Sequence, residues 1–141
     1  MNATLLDTGV IVALLDRDER RHLQCVEVVS DIVGPLATCE AVIAESCYLL
    51  RRTHGAPEAV IRNVANGVFQ TPVRLVDQTA SIEKLLKKYR NVPMDLADAC
   101  LVDLADQIDT GQILTLDSDF EIYRWRSRRK FQLLVDLAMA N

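Results

Sequence analysis

Two aspartates stand where buried strands would deliver them. Asp7 closes the apolar run Leu5-Leu6; Asp117 closes Ile113-Leu114-Thr115-Leu116 and is followed by Ser118, Asp119 and Phe120. A carboxylate directly after a buried strand is costly to keep charged unless it is hydrated, hydrogen-bonded or bound to a cation. Helix capping accounts for Asp7 alone as well as a site does, and it accounts equally for one of Asp117 and Asp119.

A third acid comes from helical geometry. At about 100° per residue, Leu96, Ala97, Cys100, Leu101 and Leu104 gather on one core face, and Asp98 falls roughly 110° from its centre. A carboxylate on that shoulder can face a cleft and still be held rigidly. Asp95 reads as the cap of the same helix, while Asp103, on the opposite shoulder without a strand-end partner, reads as surface. The fourth acid is Glu45, which with Ser46 interrupts the otherwise apolar run Ala41 to Leu50. The hydrophobic surroundings point to a mostly buried helix, which raises a site role for Glu45 to equal weight with a solvated position.

Together these residues supply carboxylate oxygens and almost no competing imidazole or thiol, the donor set preferred by Mg2+ and Mn2+. Converging carboxylates repel, and a divalent cation offsets that repulsion while activating water and stabilising charge at phosphorus. His22 and His54 are isolated, and Cys25, Cys39, Cys47 and Cys100 show neither a Cys-x-x-Cys pair nor zinc-ligand spacing, so they read as buried reduced thiols.

The elements needed to position these acids alternate between strand and helix. Strands are expected at 3–6, 36–38, 73–76, 112–115 and, as an edge, 131–134. Helices are expected over 9–15, 22–32, 40–52, from Pro57 towards Gly67, from Thr79 or Ser81 to Tyr89, 96–105 and, briefly, 120–125. Such alternation implies a parallel sheet, because parallel strands need crossover connections. In open sheets of this type ligands collect beyond the carboxyl ends of the strands, where Asp7 and Asp117 fall.

Half of the 141 residues are hydrophobic and 26% are charged, which fits one globular domain over residues 1–141 and excludes a disordered chain. The segment from Met1 to Leu6 lacks the length and basic flank of a signal peptide, and no apolar stretch reaches membrane-spanning length, so a cytoplasmic protein is expected. A net charge of −4 disfavours a uniformly basic binding face. Charge is uneven, however: residues 1–50 hold eight acids and three bases, residues 51–141 twelve acids and thirteen bases. Arg124, Arg126, Arg128, Arg129 and Lys130 form one dense run, read either as an RNA-backbone contact or as a solvated segment.

The ordered motifs Leu5-Leu6-Asp7-Thr8-Gly9-Val10, Ala44-Glu45-Ser46, Met94-Asp95-Leu96-Ala97-Asp98-Ala99 and Leu114-Thr115-Leu116-Asp117-Ser118-Asp119-Phe120 resemble those of the PIN-domain ribonucleases, above all the VapC-type toxins. The resemblance implies a three-layer α/β/α sandwich with a parallel sheet of about five strands. It gives Asp7, Glu45 and Asp98 the places of the three central acids and Asp117 the fourth, with Asp7, Asp98 and Asp117 on the metal. Thr8 and Thr115 match hydroxyls that order the site, and Asp119 and Asp95 stand close enough to share or exchange roles. The implied reaction is Mg2+- or Mn2+-dependent hydrolysis of RNA without a side-chain nucleophile. The implied partners are RNA, a second copy in a homodimer and a cognate antitoxin.

Other readings fit less well. A phosphoacceptor receiver domain needs paired acids after its first strand and a late Lys, and a haloacid-dehalogenase phosphatase needs Asp-x-Asp where this chain has Asp7-Thr8-Gly9. A housekeeping RNA-processing nuclease and a non-catalytic PIN-fold binding module remain as alternatives.

Overall fold

The computed structural model describes residues 2–138; Met1 and residues 139–141, the two ends of the domain expected over 1–141, lie outside the described residues. The chain alternates as the apolar periodicity requires. β1 (Thr4–Leu6) leads into α1 (Thr8–Leu15) and α2 (His22–Ser30), then β2 (Leu36–Ala37), α3 (Glu40–Leu49), α4 (Ala56–Ala65) and β3 (Phe69–Gln70). α5 (Thr79–Lys88), α6 (Leu96–Ile108) and β4 (Gln112–Leu114) follow. The chain then forms a 3₁₀ turn (Ser118–Glu121), a hairpin of β5 (Arg124–Trp125) and β6 (Arg129–Lys130), and β7 (Gln132–Leu133).

The five-stranded sheet has the order β3-β2-β1-β4-β7, and every pairing in it is parallel. Thr4, Leu5 and Leu6 are buried without alternation, as expected where helices cover both faces of a parallel sheet. Leu5, Leu6, Ile113 and Leu114 sit at its centre against Val10, Ile11, Leu101 and Leu104. α6 is the most enclosed helix, buried throughout Ala97–Ala105. Among the described residues no helix is long and apolar enough to cross a membrane. All four cysteines are free; Cys25, Cys39 and Cys100 are buried, and Cys47 is half-buried.

Three expectations are corrected. The third strand is Phe69–Gln70, not 73–76: Phe69 pairs with Leu36, and Pro72, which has no N–H to give a ladder, follows after Thr71. Leu75–Gln78 is instead an exposed 3₁₀ turn whose Leu75 N–H is taken by Glu40 Oε1. The helix expected over 120–125 is shorter and earlier, because Arg124 and Trp125 pair with Lys130 and Arg129 in the hairpin. α3 is amphipathic rather than mostly buried, with Val42 and Ser46 inside and Glu45, Tyr48 and Leu49 exposed.

The hairpin closes through Arg126 and Ser127, both at positive φ (46° and 65°). Ordinary L-residues resist that region. Here Arg126 is held by its N–H to Asp106 Oδ1 at 2.6 Å and its guanidinium to Asp109 at 3.2 Å. Behind it the Trp125 indole packs against Gly111 so closely that any Cβ at Gly111 would collide with it.

Candidate active site

β1 is the point at which the sheet changes direction: β2 and β3 are added on one side, β4 and β7 on the other. Neighbouring strand ends part at such a point and leave a crevice. Asp7 leaves β1 there with its N–H on Leu114 O, and Asp117 follows β4. α6 begins at the same end and adds Asp98, while α3 adds Glu45. The result is an open cleft lined by Asp7, Thr8, Glu45, Asp95, Asp98, Asp117 and Ser118, among others. No Lys, Arg or His is among the residues lining it.

Each acid is held by a short hydrogen bond from its own surroundings. Asp7 is both an N-cap and a cleft acid: Oδ1 accepts the Thr8 N–H at 2.8 Å and Oδ2 the Thr115 hydroxyl at 2.6 Å. The Thr115 hydroxyl oxygen in turn accepts the Asp117 N–H at 3.0 Å. Thr8 donates its hydroxyl to Glu45 Oε1 at 2.6 Å, which fixes an otherwise exposed carboxylate. Asp95 caps α6 through the Asp98 N–H at 2.8 Å, and Asp117 accepts the Asp119 N–H at 2.9 Å. Asp98 Oδ2 accepts the hydroxyl of Tyr123 at 2.8 Å. Tyr123 is fully buried, edge-on to both Tyr89 and Phe120.

Burial sets the electrostatics. It pushes the Asp7 carboxyl up to about 6, with Asp117 and Glu45 adding to the rise and the Thr115 and Thr8 hydrogen bonds opposing it. Burial likewise pushes Asp98 up to about 8, helped by Asp95, Asp7 and Asp117 and opposed by the Tyr123 hydroxyl. Asp119 is also raised, by partial desolvation and then by Asp117 and Asp95. Asp7 and Asp98 therefore hold their protons well above the ordinary carboxylate range, as happens where buried acids converge without a compensating cation.

Asp98, Asp117 and Asp119 can each bring one ligand atom into a group whose members all lie within 4.8 Å of one another. Carboxylate oxygens at that spacing, with no basic side chain beside them, fit a hard divalent ion. Asp7 borders the same cleft, and Glu45 joins it through Thr8.

A family model for the PIN domain matches residues 4–125. The chain belongs to the PIN-domain family. PIN-domain proteins similar to this one include Ribonuclease VapC26 of Mycobacterium tuberculosis, 30% identical over 115 residues that cover 80% of this chain and 85% of that protein. The fold also matches the crystal structure of M. tuberculosis VapC20, described as a sarcin-ricin loop cleaving toxin. That match has a TM-score of 0.77, covers 84% of this chain and 93% of the other, and at 18% identity is a likeness of fold.

Within this PIN domain the cleft gathers Asp7, Thr8, Glu45, Asp95, Asp98 and Asp117, and Thr115 and Asp119 adjoin it. The basic run does not converge on it as a block. Arg126 sits at the far end of α6, engaged by Asp106 and Asp109; Arg128 and Arg129 are exposed on the hairpin, and Arg124 is half-buried at its base. Asp103, expected at the surface, is buried and accepts the Ser81 hydroxyl at 2.5 Å, because α5 packs over that flank of α6. Tyr123 had no signal in the sequence: an aromatic three residues after Phe120 reads as core, and only the fold turns its hydroxyl onto Asp98.

Proposed function

We propose that this chain is a Mg2+- or Mn2+-dependent endoribonuclease acting as the toxin of a toxin–antitoxin pair. The observation that carries the reading is the convergence of Asp7, Asp98 and Asp117 on one open cleft with Asp95 and Glu45 alongside and no basic side chain to neutralise them. Asp98, Asp117 and Asp119, with Asp7 next to them, would hold the cation. Bound there, it would supply the charge neutralisation and Lewis acidity that phosphodiester hydrolysis requires. The chain's own residues orient the site: Thr115 aims Asp7, Thr8 aims Glu45, Asp95 fixes the first turn of α6, and Tyr123 aims Asp98.

The similarity to a VapC ribonuclease and to a toxin fold supports RNA as the substrate and an antitoxin as the partner. The protein acts in the cytoplasm as a single domain and as a homodimer. An antitoxin blocks the cleft by bringing its own cation, an Arg whose guanidinium forks onto Asp7 and Asp98.

Incubation of the purified protein with a mixed RNA pool tests the enzyme directly. Cleavage is expected with Mg2+ or Mn2+, none with EDTA, and recovery when the metal is restored; RNA left intact under every condition overturns the reading. The toxin role is tested separately. Expression alone should slow growth of a bacterial host, and co-expression with the neighbouring gene should yield a stable, inactive complex. Harmless expression of an active enzyme, with no partner co-purifying, would make it a housekeeping nuclease.

A further inference from the structure

With a rise of about 1.5 Å per residue, Asp106 lies roughly 12 Å along α6 from Asp98. At that end a trough opens between α5 and the β5–β6 hairpin, lined by Ser81, Lys84 and Lys88 of α5, Asp106 of α6, and Arg124 and Ser127 of the hairpin. Three cations thus face one acid, in a protein whose net charge is −4. That acid is already engaged, since Asp106 Oδ1 accepts the Arg126 N–H.

Lys84 and Lys88 are one turn apart on the same exposed face of α5, a like-charged arrangement that destabilises a helix unless an anion is shared. Among the described residues the ion pairs are Arg74–Asp77, Lys87–Glu83 and Arg126–Asp109, none of which involves Lys84, Lys88 or Arg124. Lys87, on the same helix, shows the alternative, paired with its own Glu83. Arg124 is pre-positioned. Its Nη1 donates to the carbonyls of Glu121, Ile122 and Tyr123, and its N–H to the Tyr89 hydroxyl; among the described residues Nε and Nη2 have no hydrogen-bond partner. It also follows Tyr123, whose hydroxyl donates to Asp98, so one backbone step links a trough residue to a residue that holds a cleft acid.

We propose that this trough is a second RNA contact, in which Lys84, Lys88 and Arg124 hold backbone phosphates of the strand whose scissile bond lies in the acid cleft. The inference rests on the ribonuclease reading and adds a place for the RNA outside the cleft. A cleft of carboxylates cannot draw in a polyanion unaided, whereas cations a short distance away can hold the strand without reading its bases.

The test uses Lys84→Gln/Lys88→Gln, two exposed positions where loss of charge leaves the fold alone. Binding of a fluorescent single-stranded RNA is followed by anisotropy against salt in an Asp98→Asn background with Mg2+, and cleavage kinetics are followed in the active enzyme. The double substitution should reduce the slope of log K against log salt by about 1.4, from two phosphate contacts at roughly 0.7 each, and raise KM roughly tenfold at unchanged kcat. Lys87→Gln should change neither. An unchanged slope, or a fall in kcat at constant KM, overturns the trough. A parent that cuts no RNA while the slope still falls removes the nuclease reading and keeps the trough; a protein that binds no RNA at all removes both.

Discussion

Asp98 and Asp103 lie five residues apart on α6, both nearly out of contact with solvent (6% and 2% exposed) and both raised above the ordinary carboxylate range by burial. Their neighbours differ. Asp103 is met by neutral donors, Ser81 and Gln107, with Asp106 the one acid adding to its rise. Asp98 has one neutral donor, Tyr123, and three acids, Asp95, Asp7 and Asp117, at the edge of an open cleft. Burial alone therefore does not mark a site; burial among like charges, with solvent access and no counter-ion, does. The first flank ties α5 to α6, and the second has the donor set that a cation from outside would take.

The largest effect that can break this contrast is on the cleft side. Asp7→Asn keeps the shape and one acceptor oxygen, for the Thr8 N–H, but replaces the oxygen that takes the Thr115 hydroxyl and removes the charge, and it should lower RNA cleavage by at least about 10²-fold with the fold intact. Normal cleavage by this variant would place the chemistry elsewhere. Tyr123→Phe should cost less, about tenfold in kcat, because Asp98 stays but is no longer aimed. If Tyr123 served packing alone, Tyr123→Phe would leave both kcat and metal affinity unchanged.

A smaller effect is on stability against pH. Asp7 and Asp98 have folded-state values of about 6 and about 8, above the ordinary 3.8. The folded state therefore binds more protons than the unfolded one. Its advantage is complete below about pH 4 and is lost as pH rises through both values. The metal-free protein should lose several degrees of Tm between about pH 5 and pH 9, and Mn2+ should raise Tm more at the upper end, where it has no proton to displace. A metal-free Tm that climbs over that interval would contradict the placement of these acids. Smallest for activity is Ser81→Ala on the other flank: it should destabilise by about 1–2 kcal/mol in chemical denaturation and leave kcat unchanged.

The cleft was more legible in the sequence than the flank opposite it. Asp7 and Asp117 could be read because a short buried strand fixes where its last residue points, and Asp98 because a helical angle follows from spacing alone. Asp95 was legible as a cap for the same local reason, and the structure shows it capping α6. Asp103 was misread as surface because what covers it is α5, an element distant along the chain whose packing no local pattern encodes. Glu45 was given a buried helix, yet it is exposed and owes its fixed position to Thr8 across the cleft. The strand expected at 73–76 fell at Phe69–Gln70 because two-residue strands carry too little periodicity to outweigh an apolar run beside a proline. The basic run was visible as composition, but its division between a paired Arg126 and a trough-facing Arg124 depends on the hairpin.

The two carboxylates of α6 differ in role, Asp98 at the cleft and Asp103 in packing against α5. Asp98→Asn and Asp103→Asn make the same chemical change in the same helix, so one assay, Mn2+-dependent cleavage of a labelled RNA pool, compares them directly. Asp98→Asn should lose at least about 10²-fold of the activity, and Asp103→Asn should cut like the parent. Equal losses in both variants, or full activity in Asp98→Asn, would contradict the assignment of the acid cleft as the metal-dependent site.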